Sequence, residues 1–168
     1  MFDKKLLIML IVVLVFIAIY LFLPGIEESL TRARVELYFA TRDAMFLKSE
    51  VREVPREGLY RNTLEELIKG PEQSSLSRTI PEGTKMIDIE VNNGLARLDF
   101  NQALIENHWG GSTGELLTIY SIVNTMTAFD EIQHVQITVE GEEIETLAGH
   151  MYLKEPLEVN QELILEQD

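Results

Sequence analysis

The chain has 168 residues, enough for one domain with appendages, and a formal net charge of −14 from 14 Lys and Arg against 28 Asp and Glu. That balance argues against binding to nucleic acid and to anionic lipid headgroups. There is no cysteine, which excludes disulfides, thiolate zinc sites, cysteine nucleophiles and a lipid attached to cysteine.

Leu6 to Leu23 is an 18-residue run without a charge. At helical rise it spans roughly 27 Å, close to the hydrocarbon thickness of a bilayer. Pro24-Gly25 ends it. The run is longer than the roughly 7–15 residues of a signal-peptide core, and no small-x-small cleavage site follows. Residues 1–25 are therefore expected to remain as a transmembrane anchor, bounded by Leu6 and Leu23. Lys4 and Lys5 precede the run, and Arg32 and Arg34 follow it at a greater distance, behind Glu27 and Glu28. The chain is expected to sit in the cell membrane as a single pass, N-terminus cytoplasmic and bulk extracytoplasmic. Asp3, Lys4 and Lys5 leave the first 23 residues at +1, so the remainder carries −15.

Residues 26–34 read as a polar linker. Val35, Leu37 and Phe39 alternate with Glu36 and Tyr38, which predicts a strand, and Thr41-Arg42-Asp43 a turn. Leu47 to Val54 alternates charge through Lys48, Glu50, Arg52 and Glu53 and is expected to be an exposed or edge strand stopped by Pro55. Leu59 to Lys69 is expected to be a helix with Leu64, Leu67 and Ile68 on one face. Either Asn62 and Glu65 form a capping box or the start lies nearer Gly58. Gly70-Pro71 stops it. Glu72 to Pro81 is loop-like, and Pro81-Glu82-Gly83 is a turn.

A hairpin follows. A type I′ turn at Asn93-Gly94 sets Val91 opposite Ala96, Ile89 opposite Leu98 and Ile87 opposite Phe100, all apolar and on one face. Glu90 then faces Arg97, and Asp88 faces Asp99. The acidic pair is either a cation site or two solvated, splayed carboxylates, the latter being the simpler reading. Gln102 to Asn107 is a short helical turn. Trp109 to Glu115 is a glycine-rich loop opening the longest soluble helix, with Ser112 and Glu115 at capping-box spacing. Leu116, Ile119, Tyr120, Val123, Met126 and Thr127 form its stripe, widened by Leu117 and Ile122. Val135 to Val139 is a strand, Glu140-Gly141-Glu142 turns it, and Ile144 to Leu147 pairs back. The acidic remainder is weakly patterned and expected to be disordered over 158–168. The order β, β, α, hairpin, α, hairpin predicts an α+β class: one mixed or antiparallel sheet with two helices packed on one face, in a domain over 35–157.

Little here points to chemistry. His108, His134 and His150 lack metal-ligand spacing, and no cofactor is expected. Gly110-Gly111-Ser112-Thr113-Gly114 has no Walker lysine and no dinucleotide fingerprint. It satisfies G-x-S-x-G literally, and His134 and His150 lie downstream. Asn107-His108-Trp109 nonetheless replaces the apolar strand that a nucleophile elbow requires. The expectation is no enzyme, with a small serine hydrolase using Ser112 as the least favoured reading.

Several stretches resemble the GerMN domain family of spore germination proteins: Val35 to Ala40, Leu64 to Gly70-Pro71, Ile80-Pro81-Glu82-Gly83-Thr84 and Leu98-Asp99-Phe100. The most specific is Gly110, Gly111, Ser112, Thr113, Gly114 and Glu115, followed by Gly141-Glu142 and Leu147 to His150. The resemblance covers about residues 34–157. It implies a non-enzymatic extracytoplasmic domain linked to sporulation and germination, with a fold similar to ring-building motifs. It also implies partners among envelope or sporulation-complex proteins, or other copies of the chain. The alternative is a cell-envelope sensor or accessory domain that binds a ligand or wall component.

Overall fold

The computed structural model describes residue 4 and residues 8–18 and 31–165. Residues 8–18 are helical (α1) and exposed. Among the described residues no helix is long and apolar enough to cross a membrane. The expected anchor ends, Leu6 and Leu23, and most of the expected linker lie outside the described residues.

The strands form two sheets, not the expected one. The first has β1 (Arg32–Thr41) between β2 (Leu47–Pro55) and the two-residue β3 (Leu76–Ser77), all antiparallel. β1 begins at Arg32, inside the stretch read as linker. The second sheet runs in the order β4 (Met86–Asn92), β5 (Leu95–Phe100), β6 (His134–Val139), β7 (Glu142–Glu143), with β5 and β6 parallel. Between β2 and β3 lies α2 (Leu59–Lys69), and between β5 and β6 lie α3 (Ala103–Glu106) and α4 (Ser112–Thr127). No strand forms over Ile144 to Leu147; the strand that pairs back is Glu142–Glu143, beginning inside the expected turn.

The β4–β5 hairpin forms as its turn chemistry dictates. Asn93 and Gly94 both have positive φ, 49° and 82°, as a type I′ turn requires. Val91 pairs Ala96, Ile89 pairs Leu98, and Asp88 pairs Asp99. A bulge between Met86 and Asp88 then brings Met86, not Ile87, opposite Phe100. Ile87 is left 45% exposed.

One apolar core joins both sheets. Leu37 and Phe39 of β1, Leu64 and Leu67 of α2, and Leu98 and Phe100 of β5 belong to it. α4 contacts β1 of the first sheet and β6 of the second. It is therefore buried nearly all round, not along a single stripe. At the β1 edge a strand partner is replaced by a side chain, because the Tyr38 N–H donates to Thr125 Oγ1 at 3.0 Å. The buried polar residues of α4 are satisfied in the same way: Thr118 Oγ1 donates to the Thr79 carbonyl at 2.7 Å, and Ser121 Oγ to the Thr118 carbonyl at 2.9 Å.

Residues 153–165 form a strap, and its part from 158 to 165 lies in the stretch expected to be disordered. Leu157 pairs with Val135 antiparallel through two 2.8 Å hydrogen bonds. Asn160 and Asn124 exchange hydrogen bonds at 3.0 and 3.2 Å. Ile164 bridges Leu47 at the β2 edge, where the Leu165 N–H donates to the Leu47 carbonyl at 2.8 Å. The periodicity there is weak because the strap forms only one isolated β-bridge with each sheet.

Candidate functional site

The glycine-rich stretch becomes a crest at the start of α4. Gly110 and Gly111 have φ of 77° and 80°, a consecutive left-handed pair that side chains resist. Nothing lies within 4 Å of where a Cβ would stand on either. Gly111 caps the helix, and no side chain caps it, so the capping box expected of Ser112 and Glu115 does not form.

Glu115 is fully buried and points elsewhere. Its carboxylate accepts backbone N–H bonds from Leu147 at 2.8 Å, Ala148 at 2.9 Å and His150 at 2.8 Å. Burial pushes its carboxyl up, but these N–H donors together hold it below the usual value. The crest and the 147–150 loop are thereby fixed to each other.

His108 anchors the other side. Its Nδ1 accepts the Gly110 N–H at 2.9 Å. The Thr118 hydroxyl proton is committed to the Thr79 carbonyl, so His108 Nε2–H donates to Thr118 Oγ1 at 3.1 Å. That assigns the neutral Nε2–H tautomer. Burial lowers the His108 pKa, opposed by the charge of Glu115. Trp109 stacks on the His108 ring with centroids 5.1 Å apart and planes 21° apart, and is 53% exposed.

Two clefts flank the crest. The first, of about 270 Å³, runs between the crest and the β1–β2 loop and is lined by Ala40, Ala44, Ser77, Thr79, Trp109 and Thr113 among others. Beyond Ala44 the β1–β2 loop presents Met45, 60% exposed, and Phe46, 38% exposed. The tip is held by the Asp43 carboxylate, which accepts Thr41 Oγ1 at 2.6 Å and the Met45 N–H at 3.2 Å. The second cleft, of about 420 Å³, includes Ser112, Leu116, Tyr120, His150 and Met151. Ser112 and His150 share it, and no hydrogen bond joins them among the described residues.

The other motif residues serve separate turns. The Gly70 carbonyl accepts Arg52 Nη2 at 2.6 Å. The Thr84 N–H donates to the Pro81 carbonyl at 3.3 Å, and the Gly83 carbonyl accepts from Asn101 Nδ2 at 3.1 Å. Pro71 follows the end of α2 beside that Arg52 contact. Asp99 is neither splayed nor aimed at a cation: it accepts Thr138 Oγ1 and the Gly141 N–H, both at 2.8 Å. Asp88 lies 3.8 Å from the Arg61 guanidinium. Among the described residues no group of His, Asp or Glu could hold a metal ion. The sequence reading missed the roles of Trp109, Met45 and Phe46. Its one available signal was Gly114, a glycine inside the first turn of a helix.

Two sheets sharing a core, with one helix between them and a glycine-rich entry to that helix, define a mixed α+β domain of the GerMN type. The chain belongs to the Germane family, described as sporulation and spore germination, whose model matches residues 36–145. It is similar to a Clostridium perfringens protein assigned as a lipoprotein, at 26% identity over 77% of this chain and 89% of that one, TM-score 0.57. It resembles in fold the tandem GerMN domains of the sporulation protein GerM from Bacillus subtilis, at 18% identity and TM-score 0.65. That match covers 76% of this chain and 46% of the tandem, so the chain spans less than half of it. The first GerMN domain of the same protein matches at 18% identity and TM-score 0.57, over 77% of this chain and 98% of that one. No curated protein matches the chain.

Proposed function

We propose that this chain is a membrane-anchored, extracytoplasmic and non-catalytic interaction module acting in sporulation or spore germination. The observation that carries the docking role is the β1–β2 tip, where Met45 and Phe46 stand exposed next in sequence to Ala44, which lines the same cleft as Trp109. Exposed apolar residues on an ordered loop are what a protein interface uses. The family supplies the process. The uncharged run from Leu6 to Leu23 supplies the anchor, and the lipoprotein assignment of the Clostridium perfringens neighbour supports the same side of the membrane. The partner is an envelope protein or a second copy of the chain.

The test is a photo-crosslinking residue at Met45 in intact cells of the source bacterium. A discrete adduct with an envelope protein or a second copy is expected, and Phe46→Asp should abolish it. Absence of any adduct through growth and sporulation would sink the docking role. External protease added to cells stripped of their wall should digest the domain. Survival of a domain that is cleaved after lysis would sink the topology.

A further inference from the structure

Gly114 stands in the first turn of α4 without a left-handed φ, so its backbone gives no reason for glycine, a poor helix former. The reason is steric. A Cβ there would lie 2.7 Å from Trp109 Nε1 and 2.9 Å from Cδ1. The indole is thus seated against a bare Cα, stacked on His108, and still 53% exposed. An aromatic ring fixed this way and left open to solvent is a preorganised stacking platform.

Trp109 lines the 270 Å³ cleft, which lies just under the roughly 300–1,000 Å³ of drug-sized sites and so suits one ring with a small substituent. Ala40, Ala44 and Leu117 give it an apolar part, and Ser77, Thr79 and Thr113 bring hydroxyls. Thr79 is buried, and its hydroxyl has no hydrogen-bond partner among the described residues. Such a hydroxyl carries a penalty that a ligand would relieve. Arg78 also lines the cleft, but its Nη1 and Nη2 are committed to the Ile68 and Lys69 carbonyls at 2.6 and 2.7 Å. The hydroxyls of Ser77, Thr79 and Thr113, not the Arg78 Nη groups, are therefore the polar contacts the cleft offers a ligand.

We infer that this cleft binds one pyranose ring bearing an N-acetyl group, as in an acetylated glycan. The C–H face of the sugar stacks on Trp109, the acetyl methyl meets Ala40 and Ala44, and the ring hydroxyls meet Ser77, Thr79 and Thr113. The site goes beyond docking at the β1–β2 tip and does not depend on it.

Trp109 is the only tryptophan, so indole fluorescence reports this cleft alone. The full-length chain, in a detergent without a sugar headgroup, is titrated with the N-acetylglucosamine tetramer, and calorimetry follows the variants. A saturable fluorescence shift is expected. Trp109→Ala and Gly114→Ala should each weaken binding by about tenfold or more, and Trp109→Phe should stay within about threefold. Cellotetraose, which lacks acetamido groups, should bind at least about tenfold more weakly. Circular dichroism confirms that each variant is folded, and Trp109→Phe keeps the test decisive if the alanine variants are not. No saturable shift, equal binding by Trp109→Ala, or equal binding of cellotetraose overturns the assignment. A response confined to apolar peptides overturns it too and returns the cleft to protein docking.

Discussion

Glu115 is a carboxylate without solvent that stays ionised because three N–H groups converge on it. Glu115→Gln keeps its shape but aims an amide at donors, leaving N–H groups of the 147–150 loop without acceptors. It should lower stability by about 1–3 kcal/mol in urea unfolding. The two titrations at the crest act in the same direction. Glu115 has a folded pKa below its ordinary value, so its contribution is present above that ordinary value and is lost as pH falls through the lowered one. His108 also has a lowered folded pKa. Its contribution is full above about 6.5 and is lost as pH falls through the lowered value, because a proton on Nδ1 removes the acceptor of the Gly110 N–H. Acid should therefore loosen the crest in two stages. His108→Asn should flatten the first stage in urea midpoints measured from pH 7 to pH 5.

Among the elements, β2 shows how charge patterning misleads. Lys48, Glu50, Arg52 and Glu53 read as a solvated edge, yet Glu50 and Arg52 are buried. Arg52 Nη2 sits 2.6 Å from Glu50 Oε1, Nη1 sits 3.0 Å from Glu66 Oε2, and the guanidinium lies 5.5 Å from the centre of the Phe39 ring. The Glu50 carboxylate also accepts the Glu72 and Gln73 N–H groups at 3.1 and 2.8 Å, clamping the chain after α2. Arg52→Met strands that carboxylate and should cost about 3–5 kcal/mol in urea unfolding, whereas Lys48→Met on the same strand should be near neutral. The β4–β5 hairpin was legible because the turn and its apolar pairs are local, and it failed only at the bulge. The buried pair on β2 was not legible, since Glu66, Gly70 and Gln73 arrive from another part of the chain. α4 was legible as a helix but not as a wedge, because the partners of Thr118, Asn124 and Thr125 are equally distant. At the crest the motif itself could be read, but the contacts that explain Gly114 and Glu115 lie across space.

At the scale of the whole molecule, the strap over residues 153–165 touches β6, α4 and β2 in turn. Ending the chain after Pro156 removes both bridges and the Asn124–Asn160 exchange. Hydrogen exchange should then accelerate at Val135, whose N–H donates to the Leu157 carbonyl, with the β4–β5 hairpin amides less affected. Protection unchanged at Val135 would show that the strap contributes nothing to the second sheet. The order of synthesis adds a constraint. Each surface the strap covers leaves the ribosome before the strap does, so a nascent chain stalled short of Leu157 presents the β6 and β2 edges bare. Covering of these two edges is thus timed to the emergence of residues 157–165, and the interval before it is when the chain most needs protection from pairing with its neighbours.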